Sequence, residues 1–373
     1  MSELRFEKVQ EYIFAPFNTL VYIDEDQLRF SEKRVRLALV DELNNINPQT
    51  CFGNLHVEWC LEDSEDFKLS KGVFTPPGTE NSFIMARVVN SDCSESPVPI
   101  SERISDVFKE QSLCYGQVRF YFQDCGVGTC SVRIDLEDKK GISILELEQI
   151  SEEVNNQFKV YFEELCYDLT IAYRKAVENI DVPRHQFGML PNIEEVDRSQ
   201  HFIPWTHRIY HIPDDLMFEL ENPGENFRAL LTPSRKMDIE DLSIYDNRWI
   251  YFGWGHSIIF THSKEDGYSQ TSRPVYDYVR LVEIAQANWQ FLDILKDIVT
   301  YAISSFNRHY QVMGFEELQG AIDEIRLFTN GIDRILSYYS GVKITFDTEK
   351  RILLKELHDR WLTESMLKIY MQI

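Results

Sequence analysis

Two periodicities divide this chain. Short runs rich in β-branched and aromatic residues, such as FNTLVYID (17–24), LHVEWCLE (55–62) and SFIMARVV (82–89), predict strands in the first 140 residues. Among them SEKRVRLALVDELNNI (31–46) repeats its apolar positions Val35, Leu39 and Leu43 at helical spacing. Turn-forming residues fill 75–81 (TPPGTEN) and 90–100 (NSDCSESPVPI). GQVRFYFQD (116–124) and CSVRIDLED (130–138) predict a hairpin, its turn placed at Gly126-Val127-Gly128-Thr129.

Two long helical stripes follow. Ser143 and Glu146 have the spacing of a capping box. From there Leu147, Ile150, Val154, Phe158, Tyr161, Leu165, Leu169, Ala172, Ala176 and Ile180 recur every three or four residues, until Pro183. At 1.5 Å per residue such a helix is about 55 Å long. Residues 184–247 carry five prolines and read as irregular. A second hairpin is predicted from Arg248–Gly253 and Ser257–Ser263 around Trp254-Gly255-His256. The second long helix spans Val275 to about Tyr310, with Tyr278, Val282, Ala285, Trp289, Leu292, Leu295, Val299, Ala302 and Phe306 on one side. Phe315–Tyr339 and a last helix capped by Asp347 complete an antiparallel helical module. These helices carry a second apolar set, including Ile284 and Phe291, which predicts packing on the preceding body or on another subunit. The last helix grows more apolar toward Met366–Ile373, so that end is expected to be buried, to meet a partner or to continue into a further segment.

The fold class that follows is α+β: an N-terminal domain (1–270) of largely antiparallel strands with long helices, then a helical, stalk-like module (271–373). Charge supports that division. The module has 12 Lys and Arg against 14 Asp and Glu, so nearly all of the chain's net charge of −23 lies in the first 270 residues. Such an acidic body argues against binding a nucleic-acid backbone, which needs a concentrated basic footprint. Hydrophobic residues at 43% are enough for a large core. MSELRFEKVQEY does not read as a signal peptide, and no apolar run is long enough to span a bilayer, so a cytoplasmic location is expected. In that reducing setting the seven cysteines are expected as free thiols, Cys125 and Cys130 included.

No strong catalytic signature is present, and the sequence names no cofactor. His207 and His211, with Asp214 and Asp215 nearby, would share a strand face and could hold Zn²⁺ or Mn²⁺. The alternative is polar residues on an exposed or ligand-facing strand. The 184–256 segment concentrates cations and indoles in an otherwise acidic protein. Arg suits a phosphate and Trp stacks on a base, so Trp205, His207, Arg208, Arg235, Trp254 and His256 form a candidate site for a small anionic, nucleotide-like ligand. Their bland reading is that the Arg residues pair with the many carboxylates.

This layout, with RPVYDYVRLVEIAQANWQFLDIL and the helices after it, resembles the cytoplasmic part of CorA-type divalent-cation channels. The resemblance lies in architecture; both membrane helices and the family's Gly-Met-Asn motif are missing, so no ion-conducting residue carries over. Some relatives in that family sit beside CRISPR systems that make nucleotide messengers. The resemblance implies a non-enzymatic sensory domain of a homo-oligomeric membrane effector, attached to the membrane through a segment not in this chain. Two alternatives stand beside it: a soluble metal-dependent enzyme using His207 and His211, and a soluble scaffold docking a partner through its last helix.

Overall fold

The computed structural model describes residues 4–23, 32–46, 55–61, 84–90, 112–122, 125–180, 184–185, 203, 205–219, 227–231, 239–244, 246–253, 255–262, 275, 278–279, 281–293, 314–316, 319, 322 and 348–361. They form an α+β fold with one mostly antiparallel sheet. The strands are β1 (Arg5–Ile23), β2 (Leu55–Cys60), β3 (Ile84–Asn90), β4 (Ser112–Phe122), β5 (Cys125–Ser143), β6 (Arg184–His185), β7 (His207–Pro213), β8 (Arg248–Phe252) and β9 (His256–Thr261). Their order is β2-β3-β4-β5-β1-β7-β9-β8, with β6 paired to the end of β1. The helices are α1 (Glu32–Ile46), α2 (Ile144–Asn179), the short α3 (Arg228–Leu231), α4 (described over 281–293) and α5 (Thr348–Arg360).

β1 organises the sheet. It pairs with β5 along most of its length and with β7 from Gln10 to Phe14. A strand flanked on both sides and covered on both faces has no solvent side, and Tyr12–Phe17 are all buried. Proline cannot donate to a ladder. Pro16 is tolerated because β7 pairing has already ended at Phe14, and among the described residues no strand pairs with β1 on that side there.

α1 and α2 cover one face. Phe158, Phe162, Leu165, Leu169 and Tyr173 of α2 pack on Ile13, Phe17, Phe120 and Phe122. The capping box is formed: Glu146 N donates to Ser143 Oγ (3.2 Å), and Ser143 N donates to Glu146 Oε2 (2.8 Å). α4, α5 and the helical residues Val275, Tyr278 and Val279 cover the other face, where Tyr12, Phe14, Ile209, Ile250 and Ile259 meet Val282, Ala285, Leu354, Leu357 and Trp361. Val282 and Ala285 of the first stripe therefore pack on the body of the same chain, together with Ile284 of the second set. Gln290 Nε2 ties α4 to Asn18 of β1 (2.8 Å), and Arg360 Nη1 ties α5 to the Phe252 carbonyl (2.9 Å).

The first hairpin forms with a shifted turn. Gly128 and Thr129 are ladder residues, opposite Phe122 and Tyr121, and β5 begins at Cys125, five residues before the predicted start at Cys130. Gly126 takes the positive φ (84°). Gly128 serves a different need, because the Phe17 ring lies where its Cβ would be. The N-terminal run from Arg5 is also strand, ahead of the predicted start at 17. Cys60, Cys130 and Cys166 are free thiols. The predicted helix over 315–339 and the apolar end 366–373 lie largely or wholly outside the described residues.

Candidate functional site

β7 is the element on which the candidate residues converge. It lies between β1, antiparallel, and β9, parallel, with Arg208 beside His256 in the ladder. Side chains alternate across a strand. Arg208 and Tyr210 therefore face the α2 layer, while His207, Ile209 and His211 face the α4 and α5 layer. The predicted cluster divides along this line: Arg208 and His256 sit on one side, Trp205 and His207 on the other. Arg235 and Trp254 lie outside the described residues.

On the α2 side a polar network is built into an apolar interface. Glu11 is fully buried opposite Tyr210. Ser151 of α2 donates to Glu11 Oε1. The same hydroxyl oxygen accepts from Arg208 Nη1 (3.0 Å) and from the Tyr210 hydroxyl (2.7 Å), which is the arrangement a single Ser proton permits. Arg208 Nη2 continues outward to the exposed Glu152 (2.9 Å). His256 stacks on Tyr210 with ring centroids 6.2 Å apart. Glu11 Oε2, His256 Nδ1 and Asn155 Oδ1 are buried without a hydrogen-bond partner among the described residues. Burial, partly offset by Arg208 and by Ser151, pushes the Glu11 carboxyl up to about 7. Burial and the Arg208 charge push His256 down to about 3. Burial and the Glu11 charge raise the Tyr210 hydroxyl.

On the other side burial holds the imidazoles neutral, and fixed polar partners orient them. His211 Nδ1 donates to Gln10 Oε1 (2.8 Å), and its Nε2 accepts from the Thr261 hydroxyl (2.9 Å). Burial, with Arg133 adding to it, lowers His211 to about 4. His207 Nε2 bonds Ser257 Oγ (2.8 Å), its ring lies edge-on to Trp361 (5.2 Å), and burial takes it well below the usual histidine range. Trp205 stands against both Trp289 (5.5 Å) and Trp361 (5.6 Å). Strand β7 thus reaches both helical layers.

His207 and His211 do share a strand face. Asp215 is turned to His262 instead (2.8 Å), and among the described residues no three His, Cys, Asp or Glu side chains are grouped as metal ligands. Sequence reasoning missed Glu11, Ser151 and Tyr210. A signal was present: Glu11 occupies an inward slot of the alternation Val9, Ile13, Ala15, Phe17, and Ser151 and Asn155 lie inside the α2 stripe. No protein-family model, curated protein or solved structure matches this chain. Among the described residues no helix is long and apolar enough to cross a membrane.

Proposed function

We propose that this chain is a non-enzymatic sensory domain, the cytoplasmic part of an oligomeric CorA-like membrane effector. It binds a small anionic, nucleotide-like ligand and transmits the change through its long helices. The observation that carries this reading is the double attachment of β7: Arg208 to Ser151 and Glu152 of α2, and His207 to Trp361 of α5. A shift of this strand of an ångström would disturb both helical layers at once, because close-packed interfaces do not deform smoothly. The ligand class rests on the cation- and indole-rich 184–256 segment, and the membrane attachment on the family resemblance. An α/β body followed by helices is the layout that resemblance leads one to expect.

Metal-dependent chemistry at His207 and His211 has less support. Both His211 ring nitrogens and His207 Nε2 already have protein partners, and both rings are buried.

The test is titration of the purified chain with AMP and a short oligoadenylate. Tryptophan fluorescence would report on the Trp205–Trp289–Trp361 contact and calorimetry on binding. A saturable change in both is expected. Absence of heat and of spectral change with either probe would overturn the ligand reading. Fractionation of the full gene product tests the membrane part, and recovery free of membranes would overturn it.

A further inference from the structure

The interface between α2 and the sheet buries an acid that its neighbours leave half satisfied. Glu11 has no exposed surface, and its carboxyl accepts one hydrogen bond, from Ser151, while Oε2 has none among the described residues. An ionised carboxylate would need donors on both oxygens; a neutral acid in an apolar interface needs far less. Among the described residues the groups facing it are few. From β7 come the cation Arg208 and the phenol Tyr210, and β9 adds His256 behind Tyr210. α2 contributes Ser151, with Glu148 and Glu152 as further carboxylates on the same helix. On the β5 side the partner in register is the apolar Ile134. Arg208, the cation of the cluster, is shared with Ser151 and Glu152 and forms no hydrogen bond to Glu11.

We propose that Glu11 is a proton-binding site that sets how tightly α2 seats on the sheet. Neutral Glu11 leaves α2 docked through Ser151. Loss of the proton places a negative charge beneath the helix with one oxygen undonated, and the turn Ser151–Asn155 loosens to admit water or new donors. The position of the carboxyl's titration, near neutrality, makes this change accessible under ordinary conditions. The inference shares Arg208 and His256 with the ligand reading above, but it needs no ligand and its test uses none.

Two measurements on the full chain test it. Carboxyl carbon-13 NMR, assigned through backbone connectivity, should show Glu11 titrating well above the other glutamates. Hydrogen exchange of the α2 amides around residues 147–158, corrected for intrinsic rates, should lose about tenfold or more in protection between about pH 5 and pH 8. In E11Q that pH dependence should vanish. A Glu11 midpoint in the ordinary glutamate range would overturn the proposal, even if E11Q fails to fold. So would α2 protection that does not change with pH, or an E11Q profile that matches the native one.

Discussion

His207 and Arg208 are consecutive residues of β7, yet the imidazole meets Trp361 of α5 while the guanidinium meets Ser151 and Glu152 of α2. The strand pleat separates them, and with them the two halves of the cation-rich segment.

Removing Arg208 should have a pH-dependent cost. R208M leaves Ser151 and Glu11 without the cation that lowers the Glu11 carboxyl. Losing a hydrogen bond made by a charged group costs about 1.5–3 kcal/mol. The loss should be larger at about pH 8, where Glu11 ionises, than at about pH 5, where it is neutral. Denaturant unfolding at the two values measures this, and equal losses would contradict the assigned pairing.

The buried histidines predict weakening in acid. His256 and His211 titrate at about 3 and about 4 in the folded protein, against an ordinary 6.5. Between those values the unfolded chain takes up protons that the folded one refuses. Their contribution is complete above 6.5 and is lost as pH falls. Glu11 has the opposite sign: raised from 4.5 to about 7, its contribution is complete below 4.5 and lost as pH rises toward 7. With His207 lowered too, the imidazoles outnumber it, so stability should fall below about pH 6. H256F keeps a ring on Tyr210 and should reduce the acid slope by up to about 1.4 kcal/mol per pH unit. An unchanged slope in pH-dependent unfolding would refute this.

At the start of α2 the capping box is testable alone. S143A removes the acceptor for Glu146 N and should cost about 1 kcal/mol, whereas S143D should recover most of it. Thermal unfolding of the two variants gives the comparison.

Gly128 should resist substitution for a steric reason. Its Cβ would collide with the Phe17 ring, so G128A should destabilise by about 1–3 kcal/mol. The double variant G128A/F17L should lose less than the sum of the two single changes, because the smaller side chain makes room. Strict additivity in a double-mutant cycle would count against the contact.

Much of the fold was legible in local pattern. The α2 stripe with its Ser143–Glu146 cap, the 31–46 helix, the strands near 55 and 84 and the 248–261 hairpin follow from periodicity and turn chemistry. The misplaced turn at Gly126–Thr129 shows where pattern fails. A glycine needed for a turn and one needed beneath an aromatic ring look alike in sequence, and Phe17 is far from Gly128 in the chain. The N-terminal half of β1 was obscure because Glu7, Lys8, Gln10 and Glu11 break its apolar alternation.

The candidate residues were legible as a composition and illegible as a geometry. By itself the sequence determined most of the secondary elements, the helix cap, the uneven charge and the chemically dense 184–256 segment, because these depend on neighbours a few positions apart; the strand β7 lies in a stretch that reads as irregular from sequence. Only the tertiary structure decided that Arg208 and His207 serve opposite layers and that Glu11 meets Ser151 and Tyr210. Those contacts join residues well over a hundred positions apart or fix which face of a strand is up, and both are set by sheet register and helix docking.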